Sequence, residues 1–205
     1  MTRPLLPLAD AAPAERADAA RNREALLREA VRMVAEGGTS SLTMECLAHR
    51  AGVGKGTVFR RFGSREGLMA QVLDLSERDW QASVLGGEPP LGPGAPPWER
   101  LVAFGESRLR TTLLHADLIR AAGDATGSRS VAASSFMALH VGHLLGELGV
   151  AGDLPLLATA LLAPLEVPVL VQQVDREHLP VERVVAAWVD LAGRVVSARA
   201  DAGRR

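Results

Sequence analysis

The chain has 205 residues, 47% of them hydrophobic and 23% charged, with a formal net charge of −1. That length allows one large domain or two small ones with a real core, and the composition is that of a globular chain rather than a fibrous or disordered one. The near-zero charge excludes nucleic-acid binding through the overall field and leaves only a local basic patch to supply it, while the single cysteine, Cys46, excludes an intrachain disulfide and fits a reducing cytoplasm.

In chain order, residues 1 to about 20 are rich in Pro and Ala and are expected to form a disordered arm. Prolines and an acid interrupt its apolar residues, so a secretory signal is not expected. No uninterrupted apolar run anywhere reaches the roughly 18 residues of a membrane span, and no membrane partner is expected. Tyr is absent, Phe and Trp are few, and no period-2 alternation is sustained, so the fold class is all-α. Leu27, Val31 and Val34 line one side of a helix from about Asn22 to Glu36, which Gly37-Gly38 stops. Thr43 is placed to cap a second helix, with Leu42 stapling onto Leu47. That helix runs to about Ala51, and Gly52 makes the turn into a short third helix that ends near Phe62. Ser64 caps a longer fourth helix, with Glu66 at the positive end of its dipole and Leu68, Val72, Leu75 and Trp80 along it, to about Leu85.

The stretch GGEPPLGPGAPP cannot be helical and reads as a linker. Further helices are expected from about Trp98 to His115, Asp117 to Ala122, Ser130 to Glu147, Asp153 to Val174 and Val181 to Ala200, with Pro164 and Pro168 kinking the fourth of these. Both of the last two are apolar on more than one face, which requires burial on all sides and so suggests a partner chain. Arg100, Arg108, Arg110 and Arg129 are expected on the outside.

The segment AGVGKGTVFRRF, residues 51–62, places a lysine between glycines beside a threonine and an arginine pair, all suited to phosphate. A nucleotide-binding P-loop with Lys55 as its lysine needs Gly where His49 stands and Ser or Thr where Gly56 stands. A dinucleotide fingerprint through Gly52 and Gly54 meets Thr57 at its third glycine, and neither motif follows a strand. Two short helices around a glycine turn instead make a helix-turn-helix. Leu47, Ala48, Ala51, Val53 and Val58 supply its small core and leave Lys55, Gly56, Thr57, Arg60 and Arg61 to face outward. Between Thr43 and Ala70 five basic residues, Arg50, Lys55, Arg60, Arg61 and Arg65, stand against two acids, Glu45 and Glu66, so the local patch exists. Phe59 reads equally as core or as interface, and Cys46 as a buried structural thiol.

The run LTMECLAHRAGVGKGTVFRRFGSREGLM resembles the DNA-binding segment of TetR/AcrR-family transcriptional regulators, over about residues 22 to 75. The resemblance implies an N-terminal three-helix helix-turn-helix domain, residues 21–70, and a C-terminal helical bundle, residues 71–205, for ligand binding and dimerisation. It also implies a homodimer on a roughly palindromic double-stranded operator, with a small-molecule effector that most often relieves repression. Carried onto this sequence, the DNA-binding residues are Thr43, Lys55, Gly56, Thr57, Phe59, Arg60, Arg61 and Arg65, of which Lys55 and Arg65 match the family's usual phosphate contacts. Gly54 stands where the family often has a capping Ser or Thr, Phe59 where Tyr is usual, and Arg61 where His is common. The dimer seam is implied along the last two helices, through Leu157, Leu161, Leu165, Val169, Val185, Trp188, Leu191 and Val195.

An effector pocket is expected among Trp80, Trp98, Phe104, Arg108, Phe136, His140 and His143, mainly aliphatic with a few polar anchors that also include Glu106, Ser107, His115 and Ser135. His140 and His143 have a spacing that metal sites use, but no Cys or carboxylate supports them, so neither a metal nor another cofactor is expected. No nucleophile elbow, zinc-protease motif or Cys–His pairing is present, so the chain is not read as an enzyme. The competing reading is a helical protein-interaction module whose helix-turn-helix is only structural.

Overall fold

The computed structural model describes residues 13–120 and 131–197, and among these every regular element is helical. The chain divides into two compact units, one up to Leu68 and one from Met69.

In the first unit α1 spans Pro13–Gly37, α2 Met44–Arg50 and α3 Lys55–Phe62, with a 3₁₀ turn at Thr39–Ser41 ahead of α2. Helix α1 starts earlier than the sequence suggests: residues 13–20, expected in the disordered arm, are helical, because Pro is tolerated in a first helical turn and the alanines that follow are the best helix formers. The rest of the expected arm lies outside the described residues. Leu26, Leu27, Ala30, Met33 and Val34 of α1, Leu42, Met44, Leu47 and Ala48 at α2, and Val58 and Phe62 of α3 are all buried. The Thr43 hydroxyl caps α2 by accepting from the Cys46 amide at 3.1 Å, and Gly52, at φ 65°, makes the turn. Cys46 itself is exposed rather than buried: Leu47 and Ala48 hold the inner face of this two-turn helix, and its neighbour falls outside.

Helix α4, Arg65–Gly86, starts in the first unit and runs into the second. Its first turn is capped by Ser64, which accepts from the Gly67 amide at 3.1 Å. The second unit continues with α5, Pro97–Leu114, a helical segment at 116–120 (α6), α7, Val131–Glu147, α8, Leu154–Leu162, α9, Val167–Val171, and α10, Val181–Ser197. The expected helix from Asp153 to Val174 is broken rather than kinked. A 3₁₀ turn at Ala163–Leu165 separates α8 from α9, and a π turn at Gln172–Arg176 follows. Pro164 removes a backbone donor just where the α8 ladder ends, and Pro168 stands in the first turn of α9, where a missing donor is tolerated and a new helix begins. The stretch Leu154–Arg176 is long and apolar enough by composition to cross a membrane; here its Leu161, Leu162, Leu165 and Leu170 are buried in the core of the unit. The ends of the expected segments at Ala122, Ser130 and Ala200, and Arg129, lie outside the described residues.

The core of this unit gathers α4, α5, α7, α8 and α10 around Leu101, Phe104, Leu109, Val141, Leu144, Leu161 and Trp188. Trp188 of α10 is its pin. Its indole Nε1 donates to the Leu161 carbonyl of α8 at 2.8 Å, and its ring lies on Gly105 of α5 so closely that a Cβ there would come within 1.9 Å of it. Only glycine allows that approach, and a large ring with one polar atom suits a site that is dry except for one carbonyl.

Gly105→Ala is therefore expected to destabilise the protein by about 2–3 kcal/mol, since rigid ring and backbone leave little room to repack. Gly193→Ala, whose Cβ would make an ordinary 3.7 Å contact with Trp98, is the control and is expected to be near-neutral. Thermal and urea unfolding of the two variants checks the contrast.

Candidate functional site

Helix α3 sorts its residues cleanly. Val58 and Phe62 are buried, while Lys55, Gly56, Phe59 and Arg60 are exposed and Thr57 and Arg61 half-buried. Gly54 is the N-cap and contributes no side-chain hydrogen bond, so the backbone N–H groups of the first turn lack a capping side chain and the positive end of the dipole faces outward. The Arg60 guanidinium donates to the Thr57 hydroxyl at 3.1 Å, which aligns the two side chains on one face. Lys55 pairs with Glu45 of α2 and lies 5.5 Å from the centroid of Phe59. The lysine holds the Glu45 carboxyl below its ordinary range, chiefly by hydrogen bonding. Phe59, left open between core and interface by its type alone, is on the exposed face.

Arg65 is placed differently from the rest of the set expected to bind DNA. Its Nε donates to the Leu42 carbonyl and one Nη to the Thr39 carbonyl, both at 3.0 Å. Two of its three guanidinium nitrogens thus brace the turn before α2 against the start of α4. Arg50 is likewise committed within the unit, to Glu29 and Glu36, both at 2.7 Å. The sequence showed five cations but could not show which of them the fold uses internally; the acids that engage Arg50 lie on α1, outside the motif.

The residues proposed for an effector divide. Trp80, Phe104, Phe136 and His140, from α4, α5 and α7, are brought together: ring centroids are 5.2 Å apart for Trp80–Phe104, 6.3 Å for Trp80–Phe136, 5.3 Å for Phe104–His140 and 6.0 Å for Phe136–His140. Arg108, expected on the outside as well as in the pocket set, is buried beside them, 2% exposed. It donates to Glu77 at 2.7 Å and lies 4.8 Å from the Trp80 ring centroid. Burial of a guanidinium is tolerable here because a carboxylate and a π face both compensate it. The grouping is aromatic, not the mainly aliphatic lining expected. His143 is exposed, outside the ring cluster, and lies 3.5 Å from Glu147, a carboxylate one helical turn on, contrary to the expectation that none stands beside the two histidines; Trp98 packs half-buried at the edge of the core. A separate open groove of about 480 Å³ lies on α5, between Ala103, Glu106, Ser107, Arg110 and Thr111 and the loop residues Glu88–Leu91. Ser107 links the groove to the cluster, since its hydroxyl accepts from Trp80 Nε1 at 2.9 Å.

The expected dimer residues divide too. Leu161, Leu165 and Trp188 are buried inside the protomer, so these three belong to its own core and not to an open seam; helix spacing showed that they were apolar but not which neighbour they met. Val169 and Leu191 are exposed, Leu157, Val185 and Val195 half-buried, and the neighbouring Leu156 is 66% exposed.

A buried-faced α3 with an outward basic face, behind an α2 and a glycine turn, is a helix-turn-helix of the DNA-binding type, followed here by an all-helical second unit. Residues 26–72 match the model of the bacterial regulatory proteins of the tetR family, so this segment is similar to the helix-turn-helix of that family, and the chain has the fold of solved TetR-family transcriptional regulators. A TetR-family transcriptional regulator from Pectobacterium atrosepticum superposes with a TM-score of 0.61 at 21% identity, over 88% of this chain and 94% of that one. A TetR-like regulator from a Rhodococcus species gives 0.55 at 21% identity over 86% and 96%, and the TetR-family regulator PfmR from Thermus thermophilus gives 0.52 at 22% over 81% and 95%. No curated protein matches the chain significantly.

Arg65→Ala is expected to lower the stability of the first unit by about 2 kcal/mol through loss of two charge-assisted hydrogen bonds. Arg65→Lys should recover little of it, because an ammonium cannot span both carbonyls as the guanidinium fork does. Thermal unfolding followed by circular dichroism reads the loss; unfolding equal to wild type in both variants removes the bracing role.

Proposed function

We propose that the protein is a cytoplasmic, homodimeric DNA-binding transcriptional regulator, a repressor released from a palindromic operator when a small molecule binds the second unit. The observation that carries this reading is α3: an exposed face of Lys55, Gly56, Phe59 and Arg60 beside an N-terminus without a side-chain cap, on a helix whose opposite face is fully buried. Backbone amides at a helix start and Lys55 suit phosphate. Thr57, Arg60 and Arg61 lie on the part of the helix that would enter the major groove, the arginines suited to guanine and Thr57 to a thymine methyl or a base acceptor. Phe59 offers an apolar contact to a sugar or thymine methyl where a tyrosine would donate to phosphate. Lys55 must exchange Glu45 for the phosphate, an exchange between two exposed ion pairs that costs little.

For two-fold recognition the protomers need a shared face. Leu156, Val169 and Leu191, exposed on α8, α9 and α10, are the apolar surface that a second copy would cover, with Leu157, Val185 and Val195 at its edge. A dimer presents two α3 helices to successive major grooves, so the operator is palindromic. An effector acts only by its preference for one of two states. Helix α4 is the element it would bias, since α4 begins at Arg65 and carries Glu77 and Trp80.

Three variants test the reading. Lys55→Ala should weaken binding to every duplex about equally and reduce the salt slope by about one unit, while Arg61→Ala should cost roughly 1–3 kcal/mol at one or two base positions of the selected operator. Wild-type protein that shows no salt-dependent duplex binding would favour a structural helix-turn-helix in a protein-interaction module. Leu191→Asp, at an exposed position, should leave the protomer folded yet monomeric by light scattering and lower operator affinity; a folded dimer would move the seam elsewhere.

A further inference from the structure

The cations of the helix-turn-helix are not all held in the same way. Carboxylates neutralise Lys55, through Glu45, and Arg50, through Glu29 and Glu36, and backbone carbonyls take up Arg65. Arg60 differs. It is exposed, and among the described residues its guanidinium bonds to a neutral group, the Thr57 hydroxyl, at 3.1 Å. Its charge therefore stays available to an outside acceptor, while its direction is set from within the helix.

We infer that Thr57 is a positioning residue for base readout: its hydroxyl holds the Arg60 guanidinium as a pre-set fork for a guanine of the operator. The inference rests on the DNA-binding reading above and deepens it, since residue type alone gives Arg60 no direction. Thr57 suits the task. It is half-buried in the first turn of α3, its amide donates to the Gly54 carbonyl at 2.8 Å, and a β-branched side chain is stiff about its first torsion. The hydroxyl is thus a fixed point on the helix, whereas an untethered arginine loses much rotamer freedom when it is ordered. Ordering that side chain before DNA arrives removes part of that cost from binding.

The surroundings leave the fork open. Arg60 extends back over the first turn of α3, where an added Cβ at Gly56 would stand 3.9 Å from its Nη1; glycine puts no side chain there. The bond to Thr57 is made by the other terminal nitrogen, Nη2. That nitrogen carries a pair of N–H groups. Whichever one Thr57 accepts, the other still forms a planar fork, with Nη1 on one side or Nε on the other. A fork of that kind matches the O6 and N7 acceptors of guanine in the major groove. Phosphate contacts tolerate a mobile cation; a fixed plane is what base readout requires.

The test uses the full chain and the duplex that wild-type protein selects from random-sequence DNA. Each guanine of that duplex is replaced in turn by 7-deazaguanine, which removes the N7 acceptor and keeps the base pair, and affinities are read by fluorescence anisotropy. In wild type a guanine of each half-site should show a penalty of about tenfold. Arg60→Ala should abolish the penalty at that guanine. Thr57→Val, which keeps the shape and loses the hydroxyl, should shrink it to about threefold, and Thr57→Ser should restore it. The ratio is taken within each variant, so a general loss of affinity cancels and a purely structural role for Thr57 leaves it unchanged. A selected duplex in which no guanine is sensitive, a penalty that persists in Arg60→Ala, or a full-sized penalty in Thr57→Val overturns the proposal. Thr57→Ala takes the place of Thr57→Val in the same comparison if the valine variant does not fold. Salt-dependent duplex binding with no sensitive guanine overturns the role of Thr57 and leaves the DNA-binding reading standing; no duplex binding at all removes both.

Discussion

Helix α10 can reach the middle of the second unit only because residue 105 has no side chain. The Trp188 ring occupies the space where a Cβ on Gly105 would stand, and its indole N–H closes on the Leu161 carbonyl. One residue thus fixes the distance between α5 and α10 and ties both to α8. The hydrogen bond is useful there because α8 runs directly into a proline-bearing 3₁₀ turn, where helical hydrogen bonding is already interrupted. Leu161, Leu162, Leu165 and Leu170 can then bury themselves along a segment that is not one continuous helix.

The first unit solves a different problem. It is small and strongly charged, so it has little apolar area to bury and many cations to place. Three devices compensate. Arg65 satisfies two carbonyls ahead of α2, Arg50 bridges back to two acids of α1, and Lys55 rests on Glu45. Each of these is an exposed or half-exposed interaction of modest strength. The result is a domain whose basic character is kept near α3 without strong like-charge repulsion across it, on a chain with almost no net charge.

Polar groups inside the second unit follow a pattern as well. Arg108 is almost wholly buried, yet it has a carboxylate at one end and the Trp80 ring against its plane. His115, also buried, has its pKa lowered by burial and by Arg108, so it stays neutral beside that pair. His140 lies in the aromatic stack with no such partner. Among the described residues the interior therefore holds a compensated charge at Arg108 beside buried nitrogens without a protein partner, His140 Nε2 and Arg108 Nε among them.

How much of this the sequence determined depends on the range of the interaction. Caps, turns and helix faces are local: Thr43, Gly52 and Ser64 fix the helix-turn-helix through contacts within four residues, and the residue types and spacing of α3 already divide its buried side from its basic side. The all-helical class follows from composition and periodicity in the same way. Tertiary structure alone decided which charges are used inside the fold, because Leu42 and Thr39 lie 23 and 26 residues from Arg65, and Glu77 lies 31 from Arg108. It also decided that Leu161, Leu165 and Trp188 serve the protomer's own core while Leu156 and Leu191 stay outside. A helix that is apolar all round gives no sign of which side meets its own chain; that is settled by where Gly105 lets another helix come close.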